Sequence, residues 1–385
     1  MSERGDDSEE RVNLLVELDD SRFEPSEIHH QLEALTFDGV EPVRESAPSE
    51  RTLAWIDLAF GGTSSSVAAA GELWSARKAD GTPLAFAAYG AQGLRYRFLR
   101  GWNSRPWVRV AGPLGVVPEA RGRRIGSTLA RASLYALRER GYRQALVPGV
   151  VRGPLVTFYE RALGAREVER AAALPQDRRV RTVLLASGSG SNVAALGAAV
   201  AAGELPLELA RLVCNRAGAG VLARAAAAGI PSETLVWDRG REPRDAYDVR
   251  VLQAVAQAEP ELVLLLGWMH VLPAAFVARF PQALNLHPAF LPLDPGRDAV
   301  ALPDGSEAPA FRGARAVDDA LAAGAGWIGA SVHRLGAAVD RGEIYARAPL
   351  RLEPGEARPA LDARLHALER RVVRSALERF LWELP

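Results

Sequence analysis

The chain of 385 residues has one cysteine, Cys214, and one lysine, Lys78. It also has no apolar run approaching the ~18–20 residues that a membrane-spanning helix needs. One cysteine excludes an intrachain disulfide and a CxxC metal site, and it is compatible with a reducing compartment. One lysine excludes Schiff-base or P-loop lysine chemistry anywhere except at Lys78. The remaining cations are arginines, a bias that a GC-rich genome alone would produce. The first 30 residues are acidic and lack the apolar core of a signal peptide, so a cytoplasmic protein is expected. An excess of one charge is missing as well. The 47 basic residues meet 47 acidic ones, for a formal net charge of +0. Nucleic acid and acidic membrane are therefore not expected partners, and any anion site should be local.

What is present is globular: 48% hydrophobic and 24% charged residues. The length suits two domains of ~150–200 residues. A proline and a charge cluster in AAALPQDRRVR, residues 171–181, read as the seam. The expected division is 1–172, a linker at 173–180, and 181–385. Upstream, PLAFAAYGA, WVRVAGPLGVV and QALVPGVV read as strands, 125–139 as an amphipathic helix, and GPLVTFYERALGA as a helix ending at Gly164. Downstream, VLLAS, LELARLVCN, ELVLLLG, ALNLH and WIGASVH alternate with helical patterns. That order implies βαβ units, a mainly parallel sheet, and a site at the strands' carboxyl ends. The ends near Gly188, His287 and His333 are the candidates for one crevice.

Three segments carry chemistry. The first strand runs into Ser187-Gly188-Ser189-Gly190-Ser191-Asn192 and then a helix. The glycines allow close backbone approach, and Ser191 and Asn192 suit an anion at a helix N-terminus. Val193 occupies the third small position of the dinucleotide fingerprint, so the loop fits a compact phosphate better than a pyrophosphate. A plain polar strand-to-helix turn remains the alternative. Asn285 and His287 are two apart on a strand and project together, a pair suited to polarising a carbonyl. Asp340 lies in the loop after His333. A carboxylate brought to His287 would favour the imidazolium and could move a proton, although an Asp before Arg-Gly also reads as a turn former.

Together these segments resemble the 10-formyltetrahydrofolate-dependent phosphoribosylglycinamide formyltransferases. The resemblance rests on VLLASGSGSN, ELVLLLGWMHVLPAAFVARFPQALNLHPAFLP, GASVHRLGAAVDRGEI and ARLHALERRVV, in that order from about Arg181. It implies a Rossmann-like domain in which Asn285, His287 and Asp340 are catalytic. It implies that Ser189, Gly190, Ser191 and Asn192 hold the acceptor phosphate, and that Glu369 holds the acceptor amine. Met269, His270, Val271 and Leu272 would line the folate pocket, with the backbone of 336–340 over the pterin and His333 in support. The implied reaction is direct attack of an amine on the formyl carbon. Its oxyanion would be held by Asn285 and a protonated His287, with no metal and no acyl-enzyme.

The sequence departs from the family at Leu293, where a lysine is usual, and at Arg341, where a glycine is usual. A further departure is an insertion at 297–313 that would either border the acceptor or folate site or form a surface loop. Another small amine such as an amino sugar, or water in a hydrolase, are the alternative acceptors. A tRNA acceptor is disfavoured by the zero net charge and by the lack of any segment after the catalytic domain to hold it.

In the first half, GPLGVVPEARGRRIGSTLARASLYALRERGYRQALV resembles motif A of the GNAT N-acetyltransferases, an α/β fold. The resemblance covers roughly 50–170 and matches poorly before it. It implies acetyl-CoA bound by the turn of Arg121, Gly122, Arg123, Arg124 and Gly126, with Arg124 where the family has its first glycine. Tyr159 would fall on the family's proton-donating tyrosine. The alternative is a module of this fold kept for docking or regulation. Small molecules are the expected partners of both halves, and the acetylated amine and the oligomeric state are left open.

Overall fold

The computed structural model describes residues 10–19, 21–171 and 178–384. It divides into two compact units, Met1–Pro175 with Glu378–Pro385, and Gln176–Leu377. Most of the expected linker, 173–177, lies outside the described residues. The reading that carried the second domain to 385 differs at its end. Trp382 belongs to the first unit, with its ring 5.4 Å from Tyr96 and 5.5 Å from Phe98.

The first unit is built on strands β1 (Arg11–Glu17), β2 (Val40–Glu45), β3 (Glu72–Lys78), β4 (Pro83–Tyr89), β5 (Val108–Val116), β6 (Gln144–Val151) and β7 (Arg166–Arg170). Its helices are α1 (Pro25–Phe37), α2 (Glu50–Ala59), α3 (Ser64–Ala69), α4 (Ile125–Glu139) and α5 (Pro154–Leu163). The sheet order is β2-β3-β4-β5-β6-β1-β7. All pairings are antiparallel except β5 with β6, which are parallel over Val108–Val110 and Gln144–Leu146 and then separate. The strand nearest the N-terminus is thus an interior one, although the sequence reading assigned nothing there. Its RVNLLVE is almost wholly buried, and a polar residue, Asn13, sits in it at 0% exposure. Asn13 is satisfied on both sides: Nδ2 donates to the Phe98 carbonyl at 2.8 Å, and Oδ1 accepts from the Gly149 N–H at 3.1 Å. A buried amide is tolerated only when paired in this way. Leu134 and Leu137 of α4 close the core over Val12, Leu14 and Tyr89.

The second unit has strands β8 (Val180–Ala186), β9 (Leu207–Cys214), β10 (Ser232–Thr234), β11 (Leu262–Leu266), β12 (Leu284–His287), β13 (Ala299–Ala301), β14 (Glu307–Pro309), β15 (Trp327–Arg334) and β16 (Ile344–Arg351). Its helices are α6 (Ser191–Ala201), α7 (Gly220–Ala227), α8 (Arg244–Ala256), α9 (Ala274–Arg279), α10 (Ala316–Ala322) and α11 (Arg358–Glu383), the last of these to Leu377. The order β10-β9-β8-β11-β12-β15-β16 is parallel through β12. Strands covered on both faces read as continuous apolar runs, as LVLLL does in β11. The sheet then turns antiparallel at β15, which places His333 opposite Asn285 rather than at a parallel carboxyl end. Strands β13 and β14 form a separate hairpin within the inserted segment.

Candidate active site

A cleft of about 320 Å³ opens at the carboxyl ends of β8, β11 and β12. It is lined by Gly188, Ser189, Gly190, Ser191 and Asn192, by 267–272, by Asn285 and His287, by His333 and 335–340, and by His366 and Glu369. The Ser187 N–H donates to the Gly267 carbonyl at 3.1 Å, and its Oγ accepts from the Met269 N–H at 3.2 Å. Those bonds fasten the glycine-rich loop to the segment after β11. Gly190 has φ +80°, and a Cβ there would lie 2.6 Å from the Val221 Cα. Only glycine fits. The loop therefore turns tightly into α6, whose first-turn N–H groups have no intrahelical partners.

The expected Asn, His and Asp converge. Asn285 Nδ2 donates to Asp340 Oδ1 at 3.3 Å, and it lies 3.1 Å from His333 Nε2. His287 Nδ1 faces Asp340 Oδ2 at 3.4 Å, while its Nε2 donates to the Phe311 carbonyl at 2.8 Å. His333 Nδ1 donates to the Arg334 carbonyl at 2.8 Å, and its Nε2 lies 3.3 Å from Asp340 Oδ1. Asp340 Oδ2 also accepts from the Gly313 N–H at 2.8 Å. Asp340 itself is held at φ +52°, in the left-handed region that disfavours a side chain.

The electrostatics follow from burial. Burial would raise the Asp340 carboxyl. The hydrogen bond from His333, the nearby His287 and the Gly313 N–H outweigh it and hold the group at about 2. For His287 the balance goes the other way. Burial is the largest influence and lowers its pKa, with Asp340 and the Phe311 carbonyl opposing in part and His333 and Arg312 adding to the fall. In the empty cleft burial thus favours the neutral ring, because desolvation exceeds the attraction of one carboxylate. With Nε2 occupied by Phe311, Nδ1 is the nitrogen that can accept a proton, and a proton there completes an ion pair with Asp340. Both ring nitrogens of His287 face protein groups, Nε2 the Phe311 carbonyl and Nδ1 Asp340.

At the expected amine-binding residue, Asn192 Nδ2 donates to Glu369 Oε2 at 2.8 Å. Burial raises the Glu369 pKa, while Asn192, His366 and Arg370 offset part of the rise. A carboxylate in that state gains from a cation placed against it. Of the residues expected to line the folate pocket, Met269 and Val271 are exposed, and Leu272 is half-buried against the core. His270 is half-buried, its Nδ1 3.2 Å from the Tyr247 hydroxyl and its ring edge-on to Trp237 and Trp268.

The inserted segment enters the site only at its end. Gly313 and Ala314 line the cleft, and nothing from 297–309 does. Three contributors escaped the sequence reading. The Phe311 carbonyl and the Gly313 N–H are main-chain groups, which side-chain patterns cannot reveal. His366 had a legible signal, lying three residues before Glu369 on one helix face. Among the described residues no group of His, Cys, Asp and Glu is arranged to hold a metal, and no helix is long and apolar enough to cross a membrane.

In the first unit, Gly122 has φ +79° and Arg124 φ +61°, and α4 begins at the next residue. Arg121, Gly122, Arg123 and Arg124 are exposed, while Gly126 is buried, its absent Cβ 2.9 Å from Val116. The turn thus faces solvent at a helix N-terminus beside the separating β5 and β6. Tyr159 lies elsewhere in character: it is buried among Val147, Val150 and Leu163, and burial pushes its hydroxyl up to about 12.

Residues 180–303 and 304–377 match the formyl transferase family model, and residues 31–165 match the acetyltransferase (GNAT) family model. A phosphoribosylglycinamide formyltransferase of Mycobacterium tuberculosis is 35% identical over 205 residues, 53% of this chain and 86% of the relative. That of Bacillus subtilis is 28% identical over 199 residues, 51% of this chain and 93% of the relative. The crystal structure of phosphoribosylglycinamide formyltransferase from Brucella melitensis is 31% identical and covers 54% of this chain and 98% of its own, with a TM-score of 0.45.

Proposed function

The chain belongs to the formyl transferase family, and on that premise we propose that it transfers a formyl group from 10-formyltetrahydrofolate to the primary amine of glycinamide ribonucleotide, a step of purine biosynthesis. The observation that carries this reading is the meeting of Asn285, His287 and Asp340 in one cleft with the 188–192 loop and Glu369.

The folate supplies the formyl carbon, and the protein supplies position and charge. Ser189, Gly190, Ser191 and Asn192 hold the acceptor phosphate with main-chain N–H groups and short polar side chains. Glu369 pairs with the acceptor's ammonium and, with its pKa raised by burial, takes one proton from it, which leaves the free amine to attack. Met269, His270, Val271 and Leu272 seat the folate under the 336–340 loop. Asn285 gives up its longer bond, to Asp340, and donates to the oxygen on which negative charge develops. The proton lost by the attacking amine reaches His287 Nδ1 by way of Asp340 or a water, and the imidazolium that forms is stabilised by Asp340 before it returns the proton to the leaving nitrogen. His333 orients Asn285 throughout.

The first unit is proposed to bind acetyl-CoA, with the pyrophosphate at Arg121, Gly122, Arg123, Arg124 and Gly126 and the rest between β5 and β6. The separation of those strands and the exposed N-terminus of α4 support this. The apolar surroundings of Tyr159 suit packing better than proton donation. A cytoplasmic location and small-molecule partners belong to the same proposal.

The test incubates the full chain with 10-formyltetrahydrofolate, with and without glycinamide ribonucleotide, and follows tetrahydrofolate release. Release that depends on the acceptor supports the transferase. Release without it indicates a hydrolase, and none in either case overturns the reading.

A further inference from the structure

Three consecutive residues at the end of the inserted segment touch the His–Asp pair, each through a different group. The Phe311 carbonyl accepts from His287 Nε2 at 2.8 Å, Arg312 Nε donates to the Asp340 carbonyl at 3.2 Å, and the Gly313 N–H donates to Asp340 Oδ2 at 2.8 Å. The middle residue fixes the other two. Arg312 has a side chain only 14% exposed, and its other guanidinium nitrogens reach back to the hairpin segment. One donates to the Arg297 carbonyl at 2.8 Å and one to Asp298 Oδ1 at 3.3 Å. Asp298 in turn pairs with Arg341, the residue after Asp340, and Arg341 donates to the Pro295 carbonyl at 2.9 Å.

We propose that Arg312 is a positioning residue. By spanning the Asp340 carbonyl, the Arg297 carbonyl and Asp298, it holds the inserted segment against the Asp340 loop and thereby sets the separation of His287 from Asp340. The inserted hairpin serves as the anchor for this arginine and does not touch substrate. The proposal deepens the formyl-transfer reading and rests on it for its kinetic arm.

Asp340 sits at φ +52°, a strained conformation that persists only where surroundings over-determine it. The Arg312–carbonyl bond is a charge-assisted contact to the main chain of that strained residue. A guanidinium presents donors in a fixed planar fork and can meet three acceptors at once, whereas an ammonium is a compact point charge on a flexible stem. Lysine at 312 would therefore keep the charge and lose the span.

The test uses the full chain with Arg312→Lys and Arg312→Ala and has two independent arms. In steady-state formyl transfer, both variants should lose turnover by about tenfold to a hundredfold, the usual scale for small misplacement of reacting groups, with KM for donor and acceptor within about twofold. Guanidinium salt should restore part of the Arg312→Ala rate. In the second arm, nitrogen-15 spectra of the histidines follow the His287 Nε2 proton, which the Phe311 carbonyl should shield from solvent exchange in the parent chain and not in either variant. Parent-like turnover in Arg312→Lys would reduce the role to charge and overturn the proposal, as would a raised KM at unchanged turnover. An Nε2 proton that stays shielded in both variants overturns it whatever the kinetics. If the parent chain transfers no formyl group while the spectral change occurs, the functional reading fails and the positioning claim stands. Should Arg312→Ala fold poorly, Arg312→Lys alone decides both arms.

Discussion

His287 and Asp340 are two titratable groups whose surroundings push them apart. The carboxyl is held at about 2 by His333, His287 and the Gly313 N–H against the opposing effect of burial, and the imidazole is lowered by burial. Across the physiological range the pair is a carboxylate facing a neutral ring. Turnover should therefore rise with pH through a midpoint below the ordinary histidine value of ~6.5, read from the dependence of kcat on pH. Asp340→Asn removes the one anion that raises His287, so the His287 midpoint followed by NMR should move further down. An upward move would contradict the assigned balance. His287→Ala should lower turnover by about a hundredfold to ten-thousandfold, the usual range for a general acid–base group, with KM little changed. Near-normal transfer by that variant would remove His287 from the mechanism.

Two turns illustrate how an element's ends are set by one residue. Gly190 closes the loop before α6 with φ +80° and no room for a Cβ beside Val221. Gly190→Ala should destabilise the chain by about 1–3 kcal/mol and raise KM for the phosphate-bearing acceptor, as seen by denaturant unfolding and initial rates. Arg124 occupies the corresponding place before α4 with φ +61°. There the strain is already present, so Arg124→Gly should gain about 1 kcal/mol, measured as a shift in urea midpoint at constant slope. A loss of stability would mean that the arginine's own contacts outweigh its backbone cost. Elements with a strong period are legible in the sequence: the pattern of 125–139 predicts the helix α4, and that of 144–151 predicts the strand β6. What escaped were elements of weak or mixed pattern. Strand β1 carries a polar residue in its interior, and α3 and the β13–β14 hairpin are too short to show a period.

Over the whole molecule, each unit has its own sheet and its own core, and the ligands proposed for them differ. A ligand at ~100 times its Kd stabilises the state that binds it by about 2.7 kcal/mol. Acetyl-CoA added to the full chain should therefore slow hydrogen exchange at the amides of 121–130 and leave those of 188–192 unchanged. Glycinamide ribonucleotide should do the reverse. Absence of protection at 121–130 with millimolar acetyl-CoA would end the proposal for the first unit.

The residues of the cleft came from the sequence because their chemistry is local: a glycine-rich turn before a helix, an Asn and a His two apart on a strand, an Asp in a loop. Local spacing also determined the parallel part of the second sheet and most element boundaries. Only the tertiary structure decided the protonation of His287, since burial is a property of everything packed around a ring and not of its neighbours in the chain. The same holds for the antiparallel turn of the sheet at β15 and for the interior placement of β1, which depend on pairings between distant segments. The inserted segment is the sharpest case. Its sequence shows a proline- and charge-rich loop, and its part in the site comes from a carbonyl, an amide and one arginine brought against His287 and Asp340 by the fold.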